Sequence, residues 1–175
     1  RDFLAGRLPA LPGELPRLYD WTDHLSTAFP EVRLKSFLEM RGADGGPLAH
    51  IPALPAFWVG LLYDGDALDA AWKEVKDWSI ADHQRLRDDV PRLALATPCP
   101  GGGTLRDLGR RMLTIAREGL RRRERLDRSG NDEAIHLAPL EAIVASGKTL
   151  AEQWLDEYRG DWNGRLDRLY DAARF

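Results

Sequence analysis

The chain has 175 residues, 30% charged and 43% hydrophobic, with a formal net charge of −3, which is enough for one domain with its own core. The slightly acidic balance gives no case for nucleic-acid binding, and no apolar run of about 18 residues suggests a membrane span. A single cysteine, Cys99, excludes an intrachain disulfide or a cysteine-rich zinc site and fits a reducing, cytoplasmic setting. The four histidines (His24, His50, His83, His136) lack ligand spacing, so a metal site would use carboxylate oxygens and favour Mg²⁺.

In chain order, residues 6–19 hold three prolines and two glycines and read as an extended connector. Asp20 is placed to cap a short helix over residues 21–27, stopped before Pro30. Residues 32–41 alternate with period two, which predicts one strand. A Gly/Pro loop over 42–52 follows, and from Ala53 onward the pattern is helical. Pro55 suits a first helical turn, with Phe57, Trp58, Leu61 and Leu62 as the apolar stripe. Asp66 is read as the cap of a second helix with Leu68, Ala71, Trp72 and Val75 inward, and Ser79 as the start of a third that stops before Pro91.

Thr104 caps a long helix with Leu105, Leu108, Met112, Ile115, Gly119 and Leu120 at helical spacing, ended by Ser129-Gly130-Asn131. Two or three shorter helices finish the chain, one opened by the Thr149/Glu152 capping box. Gly101-Gly102-Gly103 lacks the lysine and spacing of a phosphate-binding loop and reads as a flexible linker. Arg121, Arg122, Arg123 and Arg125 read as a solvated helix end, and the six tryptophans mostly as core.

The predicted strand carries the chemistry. One face holds Val32, Leu34, Ser36, Leu38 and Met40; the other holds Arg33, Lys35, Phe37, Glu39 and Arg41. Such charges on an antiparallel strand are ordinarily solvated and paired across strands. Three cations beside one carboxylate also suit a polyanionic ligand with Glu39 on a divalent metal. One strand cannot satisfy its own backbone donors and acceptors, and the chain starts at Arg1 without a Met. It is therefore expected to be a piece of a longer protein.

The residues around this strand settle on a family. Phe29-Pro30-Glu31-Val32-Arg33-Leu34-Lys35, Leu38-Glu39-Met40-Arg41-Gly42-Ala43-Asp44-Gly45-Gly46-Pro47 and Ala53-Leu54-Pro55-Ala56-Phe57-Trp58-Val59-Gly60-Leu61-Leu62-Tyr63-Asp64 closely resemble the C-terminal part of plant-type glutamate–cysteine ligases, a type that many α-proteobacteria also carry. Leu11-Pro12-Gly13-Glu14, Asp88-Asp89-Val90-Pro91, Gly119-Leu120, Asp132-Glu133, Pro139-Leu140 and residues 149–162 extend the resemblance over nearly the whole chain.

The resemblance implies an ATP-dependent ligase that joins glutamate, through a γ-acyl phosphate, to the amine of cysteine, the first step of glutathione synthesis. It implies ATP and Mg²⁺ as cofactors, and as partners the small-molecule substrates and the remainder of the parent chain, with no nucleic acid or membrane. The implied parent is an α+β enzyme with a glutamine-synthetase-like antiparallel sheet of the carboxylate–amine ligase kind. This segment would be mainly α-helical with one central strand near 32–41. In that superfamily a Glu-x-Arg pair on a central strand serves phosphoryl transfer, and here it falls on Glu39, assigned to metal, and Arg41, assigned to the transferred phosphate or the glutamate carboxylate. Arg33 and Lys35 join them as substrate or phosphate contacts from alternation.

The chain departs from the family at Leu48, Ala49, His50, Ile51 and Pro52, where members have a Trp, two basic residues and Leu-Cys. Pro52 replaces the redox cysteine of plant enzymes, so thiol switching at that position is ruled out. Residues 1–52 are expected to belong to the catalytic sheet and 53–175 to a helical region, and the isolated piece is expected to be inactive. The alternatives are a non-catalytic helical interaction or regulatory module of the same family, and a ligase using another amine.

Overall fold

Eight α-helices and two short strands occur among the described residues, 1–27 and 29–172, of the computed structural model. They fall into two units, Arg1–Asp44 and Gly45–Phe175.

In the first unit a 3₁₀ turn, Phe3–Ala5, precedes α1 (Leu18–Ser26). Asp20 lies inside α1 and not at its cap. From the third helical position its carboxylate accepts a hydrogen bond from the Arg17 N–H at 2.6 Å, which serves a helix-start donor from within the first turn. The single strand expected over 32–41 is a hairpin of β1 (Val32–Leu34) and β2 (Leu38–Met40), reversed by a bend at residues 35–37. The strands pair antiparallel, Val32 with Met40, Arg33 with Glu39 and Leu34 with Leu38. Doubling back satisfies backbone groups that one straight strand would leave bare. No described residue of this unit is buried.

The second unit is helical. α2 (His50–Leu62) starts five residues before Pro55, the expected first-turn residue, and carries Pro55 inside it. Burial extends back to Ala53, which is fully enclosed, and the helix carries Pro55 at the cost of a backbone bond that proline cannot donate. α3 (Gly65–Val75) is capped by Asp64 rather than Asp66: the Asp64 carboxylate accepts the Ala67 N–H at 2.9 Å. Its inward residues are Ala67 and Ala71, whereas Leu68 and Trp72 are exposed. α4 (Ile80–Leu93) opens with Ser79 as expected but runs past Pro91, which costs only a bond in the last turn.

α5 (Leu105–Arg122) begins at Thr104 as expected. A 3₁₀ segment, Glu133–Leu137, leads into α6 (Ala138–Ser146), followed by α7 (Leu150–Arg159) on its Thr149/Glu152 box and α8 (Asp167–Ala172). The core gathers Ala56 and Leu61 of α2, Leu113, Ala116 and Leu120 of α5, Ala134 and Leu137, and Val144 of α6. Trp58 packs against it, Trp21 and Trp72 are more than half exposed, and none of the six tryptophans is fully buried, so they do not fill the core. No helix among the described residues is long and apolar enough to cross a membrane.

The glycine run is an ordered turn and not a flexible linker. Gly101, Gly102 and Gly103 all take positive φ, at 83°, 105° and 72°, a conformation open to glycine at little cost. Backbone bonds from Cys99 N–H to the Gly103 carbonyl (3.0 Å) and from Leu105 N–H to the Thr97 carbonyl (2.9 Å) close it.

Candidate functional site

The hairpin sets the candidate site. Antiparallel pairing puts partners on one face, so Arg33 and Glu39 meet directly: Arg33 Nε donates to Glu39 Oε2 at 2.7 Å. Both side chains are about one-third exposed (28% and 33%). The Arg33 hydrogen bond holds the Glu39 carboxyl below the usual carboxylate range. Partial burial opposes the shift, and the charges of Arg33, Lys35 and Arg41 add to it. Glu39 is thus ionised at neutral pH and feels all three cations.

Arg41 follows β2 directly. Its backbone N–H donates to the Glu31 carbonyl at 2.8 Å, which extends the ladder beyond Val32 and Met40. Its guanidinium carbon stands 5.0 Å from the centre of the Phe29 ring. Arg41 Nη1 is buried and has no hydrogen-bond partner among the described residues. Lys35 lies in the bend, its Nζ 6.0 Å from the centre of the Phe37 ring. The structure therefore brings Arg33 and Glu39 into contact and sets Arg41 on a neighbouring aromatic ring, with Lys35 at the turn. Sequence reasoning missed Phe29. The available signal was an aromatic residue locked ahead of Pro30, which restricts the preceding backbone to extended conformations.

The opposite hairpin face is apolar and uncovered by residues of its own unit: Val32, Leu34 and Leu38 are 48%, 79% and 54% exposed. No group of three or more His, Cys, Asp or Glu side chains that could hold a metal exists among the described residues. One arginine-paired carboxylate has the right donor atom for Mg²⁺, but hard cations need several oxygens. The residues present do not by themselves make a metal site.

The other candidates have internal partners. Thr104 N–H and hydroxyl both donate to Asp107 Oδ2, at 3.0 and 2.9 Å, so a side-chain carboxylate already occupies the α5 start. Arg122 donates to Asp64 at 2.6 Å, and Arg123 to Glu133 at 3.0 Å. Three of the four arginines at the basic end of α5, Arg121, Arg122 and Arg123, are thus held in intramolecular ion pairs.

The profile of Glutamate-cysteine ligase family 2 (GCS2) matches residues 7–172. Curated relatives include the chloroplastic glutamate–cysteine ligases of Arabidopsis thaliana (48% identical), Medicago truncatula (46%) and Solanum lycopersicum (44%). Each alignment covers all 175 residues of this chain and 32%, 33% and 32% of the respective relative. The chain thus spans about a third of the length of the curated relatives it matches.

Proposed function

The chain belongs to glutamate-cysteine ligase family 2, and from that premise we propose that the protein it comes from joins L-glutamate to L-cysteine at the expense of ATP, with this hairpin as one wall of the active site. The observation that carries the reading is the buried Nη1 of Arg41, which lacks a partner. A buried guanidinium donor without an acceptor is costly. A phosphate or carboxylate oxygen of the substrate would relieve that cost with a charge-assisted bond.

In this reading Arg41 binds the transferred phosphate or the glutamate carboxylate and opposes charge that develops there. Arg33 keeps Glu39 ionised, and Lys35 adds positive potential from the bend. Glu39 would be one oxygen ligand of Mg²⁺, with the other ligands supplied from outside this chain. Such an ion, when bound, offsets phosphate charge. The parent would be an α+β enzyme whose antiparallel sheet receives β1 and β2; the exposed apolar face of the hairpin supports that placement. A cytoplasmic location is part of the same proposal, although the relatives above are named as chloroplastic.

The Arg33–Glu39 pair favours a second reading, since a carboxylate satisfied by its cross-strand neighbour is also what a non-catalytic module would show. The test is ADP release by the full-length protein with ATP, Mg²⁺ and glutamate, adding cysteine or other amines singly. Cysteine-dependent turnover abolished in Glu39→Ala and Arg41→Ala supports the ligase. Turnover with another amine alone changes the substrate, and none from folded protein leaves the non-catalytic module.

A further inference from the structure

We propose that Phe29 is a positioning residue for Arg41, its ring holding the guanidinium without using up the in-plane donor Nη1, which is left without an acceptor among the described residues, for an anionic substrate group to supply. This deepens the ligase reading and rests on it for the identity of the anion.

Four observations converge. The Arg41 guanidinium carbon lies 5.0 Å from the Phe29 ring centre, within the range of a cation–π contact. Phe29 is 74% exposed, so its ring has little packing value, and the contact with Arg41 is what explains its place. Pro30 stiffens the backbone after Phe29, and at Glu31 the chain is tied to Arg41 by the 2.8 Å backbone bond. Ring and guanidinium are thus anchored to each other through two residues of ordered chain. Finally, Arg33 already occupies Glu39 at 2.7 Å, while Arg41 Nη1 has no acceptor among the described residues.

The chemistry favours an aromatic support over an acidic one. A carboxylate would neutralise Arg41 and consume its donors. An aromatic face attracts the cation through its quadrupole and takes none of the in-plane N–H groups. Those donors remain for bidentate binding of phosphate or carboxylate.

The experiment uses the full-length protein and compares Phe29→Leu, Phe29→Tyr, Arg41→Lys and the double variant Phe29→Leu/Arg41→Lys. The expected result is a loss of about 3- to 30-fold in kcat/KM for glutamate-dependent ADP release with Phe29→Leu. Phe29→Tyr should retain activity within about twofold, since it keeps the ring. Adding Phe29→Leu to Arg41→Lys should cost less than about twofold, because the planar guanidinium fork that the ring orients is already gone and an ammonium has no in-plane donors to align. Equal losses in both backgrounds, or none in either, would overturn the proposal, since a purely structural Phe29 would act regardless of residue 41.

A second readout keeps this separate from the ligase reading. With arginine-selective ¹⁵N labelling, the Arg41 Nε–H resonance is assigned by its absence in Arg41→Lys. If the ring holds the guanidinium, that resonance moves in Phe29→Leu and keeps its place in Phe29→Tyr; an unmoved signal in Phe29→Leu overturns the proposal whether or not the protein turns over ATP. Absent turnover with a moved signal rejects the ligase and leaves Arg41 positioned by Phe29 for another anion.

Discussion

Gly60 of α2 and Gly119 of α5 meet backbone to backbone. A Cβ on Gly119 would lie 3.0 Å from the Gly60 carbonyl carbon and 3.0 Å from Ala67 Cβ; one on Gly60 would lie 2.8 Å from the Ala116 carbonyl carbon. The obstruction is mostly main chain, which cannot swing aside as a side chain can, so the two helices approach as closely as they do only without side chains at both positions.

Alanine at either position should therefore destabilise the helical unit. In an exposed helix, glycine to alanine stabilises by about 1 kcal/mol. Here Gly60→Ala and Gly119→Ala should each cost about 2–3 kcal/mol, as overpacking does. Gly109 is the control: its Cβ would meet only the Val144 Cγ2 at 3.3 Å, so Gly109→Ala should stay within about 1 kcal/mol of the parent. Urea unfolding of the three variants measures this, and similar values for all three would refute the close approach.

Arg106 closes α6 from a distance in sequence. Its Nε donates to the Val144 carbonyl at 2.7 Å and its Nη2 to the Ala145 carbonyl, two of the orphan acceptors at a helix end. Arg106→Ala should cost about 1–2 kcal/mol, and Arg106→Lys should recover less than half, because an ammonium cannot reproduce the fork. Thermal unfolding of the two variants checks this.

Asp64 predicts an acid limb. Hydrogen bonds from Arg122 first, then from the Ala67 backbone, hold its carboxyl below the usual range, partial burial opposing. The partner shift agrees: Arg122 is raised chiefly by Asp64. A depressed folded-state pKa means a contribution fully present above the unfolded value, about 4, and lost as pH falls through the folded value. In urea unfolding from about pH 6 to pH 2, wild type should lose more stability than Asp64→Asn, and parallel curves would remove Asp64 from the account.

Cys99 should be inert. Burial pushes its thiol up, the Arg111 charge opposing weakly, and thiolate is the reactive form. Labelling by a disulfide reagent at pH 8 should be at least about tenfold slower in folded than in denatured protein; equal rates would show an accessible thiol.

Much of the fold was legible where a single local device decides it. Thr104, Ser79 and Thr149 open their helices because each has an acid three residues later to complete the box. The hairpin was hidden by arithmetic. Its bend holds an odd number of residues, so Arg33 still shares a face with Glu39 and Val32 with Met40, as in one uninterrupted strand. Period two fixed the faces and was blind to the reversal. Asp64 and Asp66 compete for one helix start, and the winner also meets Arg122, 58 residues away, which no local window contains. Ala116 reaches α2 because Gly60 stands opposite it, and Phe29 matters through Arg41; both relationships exist only after folding.

The charged face of the hairpin has a second consequence, for solution behaviour. Two three-residue strands with Val32, Leu34 and Leu38 bare would offer a template for edge-to-edge association. Arg33, Lys35, Glu39 and Arg41 interleave with that apolar set and act as gatekeepers against it. Neutralising them one by one to probe chemistry also lifts that protection, so each variant should be assayed alongside its sedimentation profile, with the aggregated fraction removed before any rate is compared.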